Sequence, residues 1–342
     1  MSEDNSHSRA PSRQPQKTVA VTGSSGFLGS HLIGLLEESP RVSSIVSLDR
    51  VAPESGQRKT KHFTIDLTRH NVEDQIAELL ATEQVDTVVH LAFHDSPSHR
   101  PDESHYLESV GTMRVLNACR RTRVRKFVLW SQTWLYGASP KNPSFLEERK
   151  PLCAEASEAY FRDKMQAERD VLEFGQPGRG RLTTILRTAP IMGPTIDTFI
   201  TRYFRQSLVP SVLGFDPLWQ FLHEADAVAA FKRAVDADVP GVFNIAGDGV
   251  LPLGKAIRLV GRTKLPLVRP AAQLAMGLSW VARRGAMPGA FVDYVQYSCV
   301  ADTSRAKKQL GFFPLHSSKE TVVEFGSAQN LRDVQLLSET PA

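Results

Sequence analysis

Tyr160 and Lys164 stand four residues apart in Tyr160-Phe161-Arg162-Asp163-Lys164, inside a run from Ala159 to Phe174 whose pattern predicts a helix. That spacing puts both side chains on one helical face. An ammonium beside a phenol stabilises the phenolate and lowers its pKa from ~10 toward neutrality. A tyrosine so placed can act as general acid or base. Such pairs also mark ordinary surface helices, so the surrounding chain has to decide. Its strongest feature is Thr22-Gly23-Ser24-Ser25-Gly26-Phe27-Leu28-Gly29. The apolar run Thr18-Val19-Ala20-Val21 precedes it, and the apolar-periodic segment Ser30 to Leu36 follows. This reads as strand, glycine turn and helix. The glycines let the backbone turn tightly and approach a pyrophosphate, which sits on exposed N–H groups at the helix N-terminus.

Downstream segments supply the frame for these groups. Ser44 to Leu48 predicts a second buried strand ending at Asp49. An acid about 20 residues beyond the glycine turn can accept from the ribose hydroxyls of NAD and would repel a 2′-phosphate. NAD is therefore expected over NADP, with Arg50 weighing the other way. Further strands are predicted at His62–Leu67, Thr87–Ala92 and Lys126–Ser131, with helices at Val72–Ala81 and Gly111–Arg120. Alternating strands and helices with near-continuous apolar strands predict an α/β fold: a Rossmann-type, doubly wound parallel sheet covered on both faces.

The composition sets bounds. The 342 residues allow one large or two modest domains, and 41% hydrophobic with 23% charged residues is ordinary for a globular protein. A net charge of +4 is small for this length. The basic cluster Arg120 to Lys126 could be a nucleic-acid patch, but it lacks interleaved aromatics and reads better as a helix C-terminus and loop. Cys119, Cys153 and Cys299 have neither metal nor disulfide spacing and fit a reducing compartment. No metal site is expected. No run approaches a membrane span, and the polar first 16 residues lack a signal-peptide core. A cytoplasmic protein without membrane or nucleic-acid partner is expected. Leu274 to Val281, the most apolar helical stretch, could touch a membrane or partner, although such stretches are more often buried or form a pocket wall.

Together these residues resemble an extended short-chain dehydrogenase/reductase of the NAD-dependent epimerase/dehydratase family. Matching pieces run from residue 18 to about 313: the glycine turn, Asp49, Asp66-Leu67, His90-Leu91-Ala92, Gly111-Thr112, Leu135-Tyr136-Gly137 and the Tyr160/Lys164 pair. Leu186-Arg187, Phe221-Leu222-His223 with Asp226, Phe243 to Gly247, and Asp302 to Ala306 continue the match. The resemblance implies an NAD-binding Rossmann domain over 17–190, to which 218–231 and nearby segments return. It implies a mainly substrate-binding portion over 191–330, with tails at 1–16 and 331–342. It assigns the cofactor to Gly23, Gly26, Phe27, Leu28, Gly29, Asp49, Arg50, Asp66, Leu67, Leu91, Ala92, Tyr160 and Lys164. Asp66 and Leu67 would hold the adenine, and Lys164 would also hold the nicotinamide ribose. Similar proteins form homodimers through two Rossmann helices, and one is expected here.

The chain departs from that family at five places. The usual catalytic Ser/Thr is Gln132, whose amide can donate but cannot readily exchange a proton. Thr133, one residue on, could substitute if the loop is displaced. A frequent Asn aligns with Glu108, an anion that would raise the lysine pKa, or that points idly to solvent. Thr133-Trp134 stand where sugar dehydratases carry acids, which disfavours dehydration. Trp219 and Pro190 occupy positions where an arginine and an asparagine usually help hold a nucleotide-sugar diphosphate. Arg202 or Arg205 could compensate; otherwise the substrate is less anionic and more apolar. Trp134, Trp219, Phe215, Phe221 and Trp280 are candidate pocket aromatics, although such residues are more often core. The leading expectation is hydride transfer at a secondary alcohol or ketone carbon. The default substrate is a nucleotide sugar, in the manner of a 4-epimerase, with Tyr160, Lys164, Thr133 and Gln132 as the catalytic set. The alternatives are a dehydrogenase or reductase of a sterol-like alcohol, and a non-catalytic dinucleotide sensor or scaffold.

Overall fold

Short runs rich in β-branched and aromatic residues form the seven strands of the central sheet; the inner strands are buried on both faces, whereas the edge strand Thr60–Thr64 has no buried residue. The computed structural model describes residues 16–339 except 55–57, 155–157, 177, 179, 284 and 286, and omits the side chains of 333–339. The strands are β1 (Lys17–Thr22), β2 (Val42–Asp49), β3 (Thr60–Thr64), β4 (Thr87–His90), β5 (Lys126–Gln132), β6 (Leu182–Thr188) and β7 (Gly241–Ile245). All pair in parallel, in the order β3-β2-β1-β4-β5-β6-β7. The strand order reverses between β1 and β4, where a doubly wound sheet opens a ligand crevice.

Alternation along the strands builds two layers. Val19 and Val21 of β1 face one cluster with Leu28, Leu32 and Leu36 of α1 (Phe27–Glu37) and Phe231 of α6 (Glu224–Asp236). Ala20 and Val88 face the other layer, with Ile76 of α2 (Val72–Thr82), Leu116 of α3 (Gly111–Arg120) and Phe174 of α4 (Ala159–Phe174). His90 locks this junction by bonding Thr22 at 2.6 Å and Thr112 at 2.9 Å, and burial pushes its pKa down to about 3.

The third strand ends earlier than the sequence predicts. The reason is a local turn in which Asp66 accepts from the Thr68 N–H and hydroxyl, so Ile65 and Leu67 are buried beyond the strand. The basic cluster is also explained. Arg121 pairs with Asp74, Arg125 with Asp86 and Asp238, and Lys126 is fully buried against the Val235 and Ala237 carbonyls.

Beyond β6 the chain builds a second aromatic core and sends α6 and β7 back to the sheet. That core gathers α5 (Phe199–Arg205), α7 (Leu253–Leu259), α8 (Arg269–Val281) and α9 (Ser318–Glu339) with a parallel pair of strands, Leu208–Val212 and Thr263–Leu267. Helix α9 continues through residue 331, where the sequence reading begins a tail. The N-terminal tail lies outside the described residues apart from Gln16.

The glycine turn has steric reasons of its own. Gly23 adopts φ +66, and a Cβ there would sit 2.6 Å from the Leu91 carbonyl. A Cβ on Gly29 would sit 2.2 Å from the Gly23 oxygen, whereas one on Gly26 would meet only that oxygen at 3.4 Å. Gly29→Ala is expected to destabilise the fold by roughly 2 kcal/mol, an overpacking cost. Gly26→Ala should melt close to the parent while weakening NAD binding on the order of tenfold, or ~1.4 kcal/mol. Calorimetry of both variants, with and without NAD, checks this pair of outcomes.

Candidate functional site

The cofactor half of the crevice follows from the turn. Gly26 caps α1 without a side-chain bond, which leaves first-turn N–H groups free for an anion. Asp49 holds the loop from β2, accepting from the Ser25 N–H at 3.0 Å and the Ser25 hydroxyl at 2.8 Å. A cleft of about 810 Å³ runs from Gly23 and Gly26 past Asp49, Arg50, Asp66 and Leu67 to Leu91 and Ala92. Burial raises the Asp66 carboxyl, but Thr68 and the nearby Arg50 and Arg69 outweigh it and hold its pKa below the usual value. This cradle fits a dinucleotide: a glycine turn in which Gly23 and Gly29 leave no room for Cβ, a helix N-terminus and an acid, Asp49, at the end of β2.

The reacting half is built around α4. Tyr160 and Lys164 are both buried, with the Lys164 Nζ 4.1 Å from the centre of the Tyr160 ring. Glu108 reaches them from a π-turn, Tyr106–Val110, that interrupts the helical entry into α3. Such turns shift side chains by one position and recur at functional sites. Glu108 is 1% exposed, so the solvent-facing alternative does not hold. Both of its oxygens accept from Lys164 Nζ, at 2.7 and 2.8 Å, and Oε1 also accepts from the His94 N–H.

This pairing changes the expected proton chemistry. Burial lowers the Lys164 pKa, and Glu108 opposes that shift. Burial raises the Tyr160 phenol well above its ordinary value; its bond to Gln132 opposes this, while Glu108 and Asp95 add to it. The expected lowering toward neutrality is therefore reversed. The ammonium beside the phenol is already neutralised by a carboxylate in the same dry volume.

Gln132 ends β5, and its Oε1 accepts a hydrogen bond from the Tyr160 hydroxyl at 2.9 Å. It also lines an apolar cavity of about 90 Å³ that the glycine turn, Gly23 to Gly29, borders on one side and Trp134, Pro190, Ile196 and Phe199 on the other; among the described lining residues Asp95 is the one ionisable group. Asp95 drew no notice in the sequence; an acid in the loop after a crevice-lining strand was the available signal. Burial raises its pKa, with Arg202 and Lys164 opposing. Tyr160 lies behind Gln132 and also borders a second opening of about 230 Å³, lined by Pro97, Pro101, Glu108, Trp280 and Pro288.

Other expected residues fall elsewhere. Thr133 is 1% exposed and lies off the cavity wall. Trp219 is buried in the second core, donating to the Tyr294 carbonyl and packing edge-on to Trp134, and Phe221 is core beside it. Arg202 and Arg205 both pair with Asp197. None of these arginines lines the cavity.

The NAD dependent epimerase/dehydratase family matches residues 19–246. An uncharacterized protein of Mycobacterium tuberculosis is 31% identical over 332 residues, 94% of this chain and 87% of the relative. A 3-diazoavenalumate denitrifying reductase of a Streptomyces species is 25% identical over 322 residues, 88% of this chain and 97% of that protein. Among solved structures, MoeE5 in complex with UDP-glucuronic acid and NAD gives a TM-score of 0.71 at 23% identity, covering 92% of this chain and 99% of that one. The UDP-glucose 4-epimerase of Thermotoga maritima gives 0.69 at 19% identity, covering 93% and 99%. The chain belongs to the NAD-dependent epimerase/dehydratase family.

Removing one partner of a buried pair leaves an uncompensated group, so Glu108→Gln should cost about 3 kcal/mol of stability. The double variant Glu108→Leu/Lys164→Met should recover most of that loss. Urea unfolding of the three proteins checks the sequence.

Proposed function

We propose that this member of the family transfers hydride at a secondary alcohol or ketone carbon, with an uncharged, apolar group beside the reacting centre. NAD, when bound, supplies the hydride acceptor or donor. The glycine turn and the N-terminus of α1 would hold its diphosphate, and Asp49 its ribose, which favours NAD over NADP. Tyr160 donates its hydroxyl proton to the carbonyl oxygen in the reductive direction and takes it back in the oxidative one. Gln132 must turn its amide aside for this, and its amide N–H groups can then donate to the same oxygen. Lys164, held by Glu108, positions the Tyr160 ring.

The observation that carries this reading is the far wall of the cavity that the glycine turn opens into: Trp130, Trp134, Ile196 and Phe199 face Gly23 to Gly29 across it, with Asp95 and, among the described lining residues, no Lys or Arg. With the glycine turn given to the cofactor's diphosphate, a second diphosphate on the substrate, placed against the far wall, would lack charge-assisted donors and would face Asp95. The second reading is a nucleotide-sugar epimerase. It draws on the UDP-sugars bound by MoeE5 and the Thermotoga enzyme. A homodimer through α3 and α4 remains part of the proposal, with half-exposed Tyr106, Met113 and Leu172 on or beside those helices.

The purified protein is assayed by nicotinamide absorbance against apolar secondary alcohols, their ketones and UDP-sugars, with product analysis for silent epimerisation. Turnover confined to UDP-sugars would favour the second reading. Tyr160→Phe should lose turnover by roughly 10²-fold or more while still binding NAD. Because its phenol is held protonated, the reductive rate should stay flat from about pH 6 to 9, and the oxidative rate should rise with pH. A reductive rate that falls through neutrality would contradict the raised phenol. Gln132→Ser should raise the rate if the glutamine only caps Tyr160, and lower it if its amide donates to the reacting oxygen.

A further inference from the structure

Helix α8 presents its apolar side to solvent. Ala271, Leu274, Ala275, Leu278 and Val281, with the following Ala282, recur at helical spacing on one face. Leu274 and Leu278 are each 62% exposed and Val281 is 77% exposed, while Ala272 and Met276 on the other side are buried. Val268, at the helix entry, is 58% exposed, and Leu213, 57% exposed, donates its N–H to the neighbouring Leu267 carbonyl. This is a contiguous apolar patch of the kind that marks an interaction site.

The stretch of chain that carries the patch has charges of one sign. Residues 249–292 contain Lys255, Arg258, Arg262, Lys264, Arg269, Arg283 and Arg284 and no Asp or Glu. Lys255, Arg258 and Arg283 are exposed, and Arg284 lies outside the described residues. Asp216 and Asp293 pair with Lys264 and Arg269, and Glu108 and Glu158 line the opening beside Trp280. Trp280 lies at the end of the helix, stacked on His99 at 4.0 Å. Among the described residues no helix is long and apolar enough to cross a membrane.

We propose that the exposed face of α8 and its basic surround dock on an anionic lipid bilayer surface. Leucine and valine on one helical face, cations beside it and an aromatic at its end are the composition of a helix lying in the headgroup boundary. A second copy of the chain would bring the same cations face to face, which opposes a symmetric contact. The bilayer supplies the missing negative charge. Docking also places the opening bordered by Trp280, Pro288 and Tyr160 beside the lipid surface. The proposal departs from the expectation of no membrane partner, and it stands apart from the assignment of hydride transfer.

The test is co-sedimentation of the full chain with phosphatidylcholine vesicles, with and without phosphatidylglycerol. Binding is expected only to the anionic vesicles and should be released by high salt, which screens the cations. Leu274→Glu/Leu278→Glu should lower partitioning by roughly tenfold or more with an unchanged melting temperature, because those side chains make few contacts in the fold. Arg283→Glu, which leaves the apolar face intact, should weaken binding to the anionic vesicles. Failure of the parent protein to bind anionic vesicles overturns the proposal, as does equal binding by the folded double variant. Light scattering that shows a dimer dissociated by the same double substitution would assign the face to a second copy and overturn it too.

Discussion

The reacting half of the site depends on one buried ion pair. Lys164 and Glu108 are 3% and 1% exposed, and each would be costly to bury without the other. Glu108 binds more than the lysine. Its Oε1 also takes the His94 N–H, so a single carboxylate joins α4, the π-turn before α3 and the loop after β4. That loop carries Asp95 to the cavity wall. The pair also fixes the proton inventory. With its charge matched inside the protein, Lys164 offers Tyr160 little net field, and desolvation decides the state of the phenol. The same arrangement limits Lys164 as a ribose ligand, because both Glu108 oxygens already engage its ammonium.

A second buried pair sits behind the first and fixes the cavity wall. Glu168 of α4 pairs with Arg187 of β6 and accepts from the Ser131 hydroxyl at 2.6 Å. Arg187 donates to Tyr136, which donates to Asn244 of β7. The network therefore ties α4 to three adjacent strands. Ser131 immediately precedes Gln132, so the backbone that presents the amide to Tyr160 is anchored from below. Charge-assisted bonds in a low dielectric are strong and directional, which suits a group that must meet a phenol at 2.9 Å.

Much of the frame was legible in the sequence because its determinants are local. The apolar strands, the glycine turn and the Ala159–Phe174 helix each follow from periodicity or from a steric need of the backbone. The Tyr160/Lys164 spacing on one face followed in the same way. What escaped was set by tertiary contact. No local pattern says that Glu108 turns inward, because its direction comes from the π-turn, which has no sequence signature. Trp219 read as a pocket aromatic from its position beside the Phe221-Leu222-His223 stretch. Its neighbours in space, Trp134, Tyr203 and Phe204, make it core instead. Asp95 was silent because an acid in a loop is ordinary until burial is known.

The distribution of positive charge separates the two ends of the crevice. At the cofactor end, an anion would rest on backbone N–H groups and a helix terminus, which need no cationic side chain. At the reacting end the cations near the wall are committed inward: Lys164 to Glu108, Arg187 to Glu168, and Arg202 with Arg205 to Asp197. Re-aiming any of them at a bound diphosphate would strand its carboxylate partner. For the first two that partner is buried, and the loss would offset much of the gain. An apolar substrate requires no such exchange, since it needs only the tryptophan, isoleucine and phenylalanine surfaces already present. On the proposed reading, the same inward commitment of charge lets Tyr160 and Lys164 stay in place beside a wall that is apolar.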